Sequence, residues 1–385
     1  MLHTPFYDPL ITFEDNAANG PFGAFATDEK IKRSGEPLAT LFGHKLYQPF
    51  GIPAGPVMTS KFVAAAFRFG FDVVVYKTVR SKALKSHPLP NVVPLTIDGN
   101  LTIEMSKQPL IAGTEYIEPL TITNSFGVPS ADPDWWQADL AKAVNETPKG
   151  QLVIGSFQGT KGTTPQAFID DYATTAKLVA ETGAKVLETN LSCPNEGTGH
   201  LVCFDVDTTE KIVHAIKTAV PDKPLIVKIA YFPGFAHSAA PTSGVTDPKT
   251  PEVFRRSVQS SGEDEMLLAW VKRIGPLVEG ISAINTIPAP IVDERGNQAL
   301  PGQGRLVSGV CGNAIRWAGL EMVDRLAKLR TQLNLTYQIL GVGGVMNPAD
   351  YESYRQVGAD AVLSATGAMW NPYLAKEIWE SSKGA

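Results

Sequence analysis

The sequence predicts an α/β protein folded as a (β/α)8 barrel, the TIM-barrel fold. Eight short apolar runs alternate with amphipathic segments along the 385 residues. Most runs are apolar on both faces, which is typical of strands in a buried parallel sheet. Polar residues end nearly every run. A barrel gathers all eight strand ends around one mouth, whereas a doubly wound open sheet concentrates its ligand residues at one switch point, so the barrel is favoured.

The elements follow each other in a regular order. The predicted strands are 49–54, 72–77, 152–156, 185–190, 224–229, 280–285, 337–342 and 361–365. Segments with apolar residues near helical spacing separate them. The predicted helices are 61–70, 134–146, 165–183, 208–220, 263–278, 314–334, 348–358 and 372–382.

Three stretches exceed a minimal barrel, although we expect residues 1–385 to form a single domain. Residues 1–48 form an irregular N-terminal arm that contains Gly and Pro. Residues 78–133, with alternating runs such as 101–105, predict strands or hairpins across the barrel mouth. Residues 231–262 are rich in Ser, Thr, Pro and Gly and predict a loop insertion.

Composition excludes several classes of protein. With 43% hydrophobic and 19% charged residues the chain is an ordinary globular sequence. A net charge of -5 and the lack of a basic, aromatic-rich cluster argue against nucleic-acid binding. Three scattered cysteines suit neither disulfides nor an iron–sulfur cluster, so a reduced, cytoplasmic location is expected. Neither a signal peptide nor a membrane span is predicted.

Charged and polar side chains at strand ends are the candidate site residues. Lys77 and Lys228 each close an apolar strand, where a cation must meet an anion or line a site. The segment Asn190-Leu191-Ser192-Cys193-Pro194-Asn195 follows another strand. Its carboxamides can hydrogen-bond to a carbonyl-rich ring, and its thiol can transfer a proton. Asn285-Thr286 and Asn124–Pro129 add further polar groups.

Glycine-containing turns predict a phosphate site. Gly341-Val342-Gly343-Gly344 follows the seventh strand, and Thr366-Gly367 follows the eighth. Such turns expose backbone N–H groups at the usual phosphate site of this barrel. Gly309-Val310-Cys311-Gly312, in a long loop after the sixth strand, offers further donors.

These segments together resemble the dihydroorotate dehydrogenase family, FMN-dependent (β/α)8 flavoproteins of pyrimidine biosynthesis. The similarity runs from about residue 38 to the C-terminus and is most specific at Asn124–Pro129, Asn190–Asn195, Val227-Lys228 and Asn285-Thr286. It implies oxidation of dihydroorotate to orotate, with hydride passing to FMN and Cys193 as the general base. A Cys at this position resembles the soluble class and not the membrane-bound, quinone-using class.

The resemblance also implies binding roles. The substrate-binding set is Lys77, Asn124, Gly127, Val128, Asn190, Asn195, Asn285 and Thr286. The FMN-binding set is Ala54, Gly55, Lys77, Thr78, Lys228, Gly312, Gly343, Gly344, Thr366 and Gly367. No metal site is predicted. Lys228 matches the lysine that stabilises the reduced, anionic flavin, and Cys203 is expected to be structural.

Alternatives stay open at this point. Ser130 departs from the Asn that often follows Pro129 in the family, and the two insertions look long. A dihydropyrimidine dehydrogenase-like flavoprotein, a flavin-free phosphate-binding isomerase or aldolase with Lys228 as its reactive residue, and a flavoprotein without turnover are the competing functions. The electron acceptor could be fumarate, a quinone, oxygen or NAD. A homodimer is compatible with the sequence, and NAD would require an iron–sulfur/FAD partner subunit.

Overall fold

The computed structural model describes residues 2–192, 201–233 and 262–382. The strands are β1 (Ala39–Leu41), β2 (His44–Leu46), β3 (Phe50–Ile52), β4 (Val73–Val79), β5 (Val92–Pro94), β6 (Leu110–Ile111), β7 (Thr121–Asn124), β8 (Leu152–Phe157), β9 (Val186–Asn190), β10 (Leu225–Ile229), β11 (Gly280–Ala283), β12 (Ile287–Val292), β13 (Val307–Gly312), β14 (Gln338–Val342) and β15 (Ala361–Leu363). The helices are α1 (Phe13–Asn19), α2 (Ser60–Arg68), α3 (Ile103–Ser106), α4 (Pro133–Asn145), α5 (Pro165–Glu181), α6 (Val206–Ala219), α7 (Gly262–Ile274), α8 (Arg316–Gln332), α9 (Pro348–Gln356), α10 (Thr366–Trp370) and α11 (Leu374–Ser381).

Eight parallel strands close into a barrel, which confirms the predicted fold. Their order around the barrel is β3, β4, β8, β9, β10, β11, β14 and β15, and β15 pairs with β3. Each predicted strand and helix coincides with an observed element, with ends that differ by at most four residues. Amphipathic helices cover the outside because both faces of a parallel sheet must be buried.

The barrel interior changes from apolar to polar along the strand direction. The lower layers are apolar side chains: Val73, Val75, Leu152, Ile154, Val186, Ile226, Leu340, Val342, Ala361 and Leu363. Side chains alternate between faces along a strand, so the residue two positions further points into the same space. Ser156, Glu188 and Lys228 occupy those next positions and are buried. A polar layer therefore lies between the apolar core and the barrel mouth.

The hairpin β1–β2 closes the amino-terminal end of the barrel. Leu41 and Leu46 are fully buried and pack with the apolar interior layer. The backbone N–H of Phe42 donates to the side chain of Gln338 at the start of β14, at 2.6 Å. The lower end of the barrel is thus filled by the chain itself.

A second sheet lies beside the barrel mouth. Its five strands run in the order β5, β7, β13, β12 and β6. The strands expected within 78–133 are present as β5, β6 and β7, but residues 103–106, which overlap the alternating run 101–105, form the short helix α3. The side chain of Thr102 accepts the N–H of Met105, and this N-cap favours a helix.

The expectation of a long loop after the sixth barrel strand was wrong. Residues 287–312 contain the antiparallel pair β12–β13, which extends the mouth sheet. Pro288 and Pro290 disfavour a strand at this place, because proline cannot donate to a sheet. They are tolerated here since β6 pairs with β12 only at Ile291 and Val292.

The N-terminal arm runs over the mouth end of the barrel. The N–H groups of His3 and Phe6 donate to carbonyls of Trp370 and Met369, at 3.3 and 3.1 Å. Glu14 in α1 accepts from both the N–H and the hydroxyl of Ser86, at 3.0 and 2.9 Å. The arm is therefore tied to both α10 and the segment before β5.

Membrane-spanning helices and metal-binding clusters are both absent from the residues that the structure describes. None of their helices is long and apolar enough to cross a membrane. No group of three or more His, Cys, Asp or Glu residues among them could hold a metal ion.

Candidate active site

A cavity at the carboxyl ends of the barrel strands brings most of the predicted site residues together. It contains about 1100 Å³ of empty space, including its opening to solvent. The predicted residues that line it are Ala54, Gly55, Lys77, Thr78, Asn124, Gly127, Val128, Asn190, Lys228, Asn285, Thr286 and Thr366. They come from β3, β4, β7, β9, β10, β11 and β15, or directly follow these strands, as expected for a barrel mouth.

Two buried lysines give the cavity its positive charge. Lys77 Nζ donates to the carbonyls of Thr78 and Pro129, at 3.1 and 3.4 Å. Lys228 Nζ lies 3.5 Å from the carbonyl oxygen of Ala54. Burial lowers the pKa of Lys228, and the carboxyl of Glu188 opposes that effect. A ligand that carries or develops negative charge would offset the cost of burying these cations.

The polar layer below the cavity connects Thr78 to Glu188. The hydroxyls of Thr78 and Ser156 lie 3.0 Å apart, and the Ser156 hydroxyl donates to Glu188 at 3.1 Å. Burial raises the pKa of Glu188, whereas Lys228 lowers it. The carboxyl group that opposes the burial effect on Lys228 therefore lies inside the barrel, below the cavity.

Hydrogen bonds between polar side chains orient the carboxamides. Asn190 Nδ2 donates to Gln158 at 3.1 Å, and its Oδ1 accepts the N–H and the hydroxyl of Ser192, at 3.2 and 3.1 Å. Asn285 Nδ2 donates to the Ser192 hydroxyl at 3.1 Å. Asn124 Nδ2 donates to the thiol sulfur of Cys311 at 3.4 Å. Three amides, two at strand ends and one just after β11, are thus held at one cavity.

Two arginines hold the segment 124–130 in place. Arg80 donates to the carbonyls of Val128 and Gly159, at 3.0 and 2.8 Å. Arg305 is 1% exposed and donates to both the hydroxyl and the carbonyl of Ser125, at 3.2 and 2.8 Å. Gly127 has φ +79°, in the left-handed region that favours glycine, so the chain can turn next to the cavity.

Six predicted site residues are not among the lining residues named above. Cys193 and Asn195 lie outside the described residues, so their roles stay predictions. The other four are glycines: Gly312, Gly343, Gly344 and Gly367. An added Cβ at Gly344 would lie 2.8 Å from the carbonyl oxygen of Gly312, so the turns that contain these two glycines are close together. Phosphate binding at these glycines also stays a prediction.

Several cavity residues were missed by sequence reasoning. They include Tyr7 and Phe13 from the N-terminal arm, together with Phe126, Cys311 and Met369. The Lys77 ammonium lies 5.6 Å from the centre of the Phe13 ring. Nothing in the arm's local sequence relates it to the strand ends, since its position depends on tertiary contacts. Cys311 lies within the glycine segment 309–312 noted from the sequence, where only backbone N–H donors were considered.

The closed parallel barrel and its charged, carboxamide-lined mouth define a class of protein, the (β/α)8 enzymes with an active site at the carboxyl ends of the strands. Residues 107–239 match the family model described as dihydroorotate dehydrogenase. The dihydroorotate dehydrogenase of Dictyostelium discoideum is 33% identical over 394 aligned residues, covering 99% of this chain and 98% of that protein. The chain belongs to the dihydroorotate dehydrogenase family, whose members are oxidoreductases acting on CH–CH groups.

Other similarities cover less of the sequence or only the fold. The catalytic subunit of dihydroorotate dehydrogenase B (NAD(+)) from Thermodesulfovibrio yellowstonii is 27% identical, over 56% of this chain and 59% of that protein. The putative dihydroorotate dehydrogenase A (fumarate) of Pediococcus pentosaceus is 28% identical, over 59% of this chain and 60% of that protein. The structure of DHODH from Eimeria tenella in complex with ferulenol superposes with a TM-score of 0.66 at 16% identity, covering 95% of this chain and 87% of that chain.

Proposed function

We propose that this protein oxidises dihydroorotate to orotate in pyrimidine biosynthesis, with FMN as its cofactor. The observation that carries the proposal is the cavity itself, in which two lysines and three carboxamides from separate strands line one space in a chain that belongs to this family. Cations suit an anionic pyrimidine carboxylate, and amides can donate to and accept from the ring.

The residues present fit a flavin nucleotide. Lys228 is buried at the cavity, with its ammonium 3.5 Å from the Ala54 carbonyl oxygen, and a cation there suits a group that gains negative charge on reduction. Gly343, Gly344 and Gly312 have φ of +127°, +67° and +99°, so their turns can present backbone N–H groups to a phosphate. Ala54, Gly55, Thr78 and Thr366 would complete the cofactor contacts, and FMN would supply the acceptor for the hydride that leaves C6 of the substrate.

The protein's own groups would bind the substrate and remove its second hydrogen. Asn124, Asn190 and Asn285, with Asn195, would orient the ring by hydrogen bonds, while Lys77 attracts its carboxylate. Cys193 would take the proton from C5 as hydride leaves C6, so that the C5–C6 bond becomes double. One thiol as a general base contributes about 10²–10⁴-fold to the rate.

Cys311 is a rival thiol that any test of Cys193 must exclude. Its side chain lines the cavity and accepts a hydrogen bond from Asn124. Burial raises the pKa of Cys311, which disfavours the thiolate. Cys203 is fully buried in the core, and burial raises its pKa to about 12, so it serves as a control.

The test is stopped-flow reduction of the bound flavin by dihydroorotate in three variants. We expect Cys193→Ala to retain flavin and orotate binding but to reduce its flavin about 10²–10⁴-fold more slowly. Cys311→Ala and Cys203→Ser should stay within a few-fold of the wild type. A wild-type reduction rate in Cys193→Ala, or the large loss in Cys311→Ala, would remove Cys193 from this role. Wild-type protein that dihydroorotate does not reduce would refute the function.

A further inference from the structure

Gln158 is a buried amide behind the cavity wall that the proposed chemistry leaves without a role. It directly follows β8, is 2% exposed and is not among the residues that line the cavity. Its Oε1 accepts a hydrogen bond from Nδ2 of Asn190, at 3.1 Å. Asn190 does line the cavity, so Gln158 can act on a ligand there through Asn190.

The backbone around Gln158 is held by the neighbouring strand. The N–H of Gln158 donates to the carbonyl of Val79 at the end of β4, at 3.0 Å. The carbonyl of the next residue, Gly159, accepts from Arg80 at 2.8 Å. The Gln158 amide is therefore presented to Asn190 from a fixed position.

The hydrogen bonds of Asn190 limit what its amide can offer a ligand. A carboxamide has two N–H groups and two acceptor positions on its oxygen. One N–H donates to Gln158, and Oδ1 accepts both the N–H and the hydroxyl of Ser192, at 3.2 and 3.1 Å. Among the described residues, Gln158 alone accepts from Nδ2. The capacity that these residues leave open is one N–H, which suits an acceptor such as a carbonyl oxygen.

Gln158 fixes the end of this amide that Ser192 does not hold. The bonds from Ser192 reach only the amide oxygen, and the last torsion of an Asn side chain is soft. The bond to Gln158 holds the nitrogen, so the plane of the Asn190 amide is set by contacts at both ends.

We propose that Gln158 is a positioning residue that holds Asn190 with one N–H available to an acceptor oxygen of the pyrimidine bound in the cavity. This inference rests on the proposed function, because it concerns a ligand contact in the same site. It gives the residue after β8, which lies outside the cavity wall, an indirect part in substrate recognition.

The test compares Gln158→Met with wild type, using the full chain with its flavin. Methionine is similar in volume, and its sulfur is only a weak acceptor. Gln137→Met is the matched control, because the Gln137 amide donates to the carbonyl of Leu178 at 2.9 Å and does not line the cavity. Orotate is titrated against the absorbance change of the bound flavin, and kcat and KM for dihydroorotate are measured separately.

We expect Gln158→Met to weaken orotate binding about two- to tenfold and to raise KM for dihydroorotate similarly, the effect of losing one neutral hydrogen bond. The change in kcat should stay below about twofold, because the residue acts on binding. Flavin content should be unchanged, and the unfolding temperature should fall by no more than about 4 °C. Gln137→Met should bind orotate like wild type.

A double-mutant cycle with Asn190→Ala shows whether Gln158 acts through Asn190. We expect Gln158→Met to cause no further loss of orotate affinity in the Asn190→Ala background. Should Asn190→Ala lose its flavin, the split between KM and kcat in Gln158→Met decides alone.

Three results overturn the inference and leave the function standing: equal orotate affinity in wild type and Gln158→Met, additive losses in the cycle, or loss of flavin in Gln158→Met. Wild-type protein that does not bind orotate overturns the function and the inference together.

Discussion

Glu188 is a fully buried carboxyl group inside the barrel, and its burial has a consequence for stability. Burial raises the pKa of Glu188 above its ordinary 4.5, so the folded protein keeps a proton that the unfolded chain has already lost. The stability that this group contributes is therefore present below pH 4.5 and is lost as pH rises through the raised pKa.

Glu188→Gln should remove this pH dependence, because an amide has no proton to lose. Relative to wild type, the variant should gain unfolding free energy as pH rises from 4.5 through the raised pKa. Urea denaturation across that range measures the difference, with Glu146→Gln at an exposed position as the control. Parallel profiles for wild type and Glu188→Gln would contradict the prediction.

At the scale of residues, sequence reasoning found those that end barrel strands. Lys77, Asn190, Lys228 and Asn285 could be chosen because a polar side chain after an apolar run stands out in the sequence. Tyr7 could not, since its neighbours along the chain carry no pattern and only tertiary contacts bring it to the cavity. A sequence pattern can identify a site residue only where the strand or helix that contains the residue determines its position.

Among the elements, the mouth sheet depends on one arginine. Arg305 lies just before β13 and is buried. Its guanidinium donates to the carbonyls of Pro88, Pro90, Pro301 and Ser125 and to the Ser125 hydroxyl. It joins the segment before β5 to the loop that follows Asn124 at the end of β7, so its loss would affect both stability and binding.

Arg305→Leu should leave several buried carbonyls without donors and lower the unfolding free energy by at least about 2–3 kcal/mol. Orotate should also bind more weakly, because the loop after β7 loses a support. Arg295→Leu, at an exposed position between β12 and β13, is the control and should stay within about 0.5 kcal/mol of wild type. Chemical denaturation and flavin-detected titration provide both readouts, and an unchanged stability would refute this role of Arg305.

The elements that sequence reasoning mistook share a physical cause. Residues 103–106 alternate apolar and polar like a strand, yet the Thr102 cap stabilises a helical turn. Residues 287–292 contain two prolines, yet they form β12 because each proline lies where no neighbouring strand needs its N–H. In both cases the outcome depends on hydrogen bonds with groups that periodicity does not represent.

For the whole molecule, the barrel was predictable because alternation of buried strands and amphipathic helices repeats over most of the chain. The β1–β2 hairpin was not, since 1–48 gave no regular pattern. Leu46 of this hairpin is buried, and we expect its substitution to change the stability of the protein but not its ligand binding. Leu46→Ala leaves a cavity in the lower core, remote from the ligand space at the opposite end of the barrel.

We expect Leu46→Ala to lower the unfolding free energy by about 2–5 kcal/mol while the folded variant keeps its orotate affinity. Leu38→Ala, at a position that is 81% exposed, should change stability by no more than about 0.5 kcal/mol. Denaturation and orotate titration of the folded proteins check both expectations. A large loss of orotate affinity in Leu46→Ala would show that the two ends of the barrel are coupled.

The β1–β2 hairpin also determines the route by which ligands enter and leave the cavity. Because it fills the amino-terminal end of the barrel, the mouth is the way in for a ligand of the cavity that we describe. Under the proposed function, orotate must leave through the same opening by which the next dihydroorotate enters. An oxidant that enters the cavity would use the same opening. Orotate and the oxidant would then compete for access, and reduction of the flavin would alternate with its reoxidation.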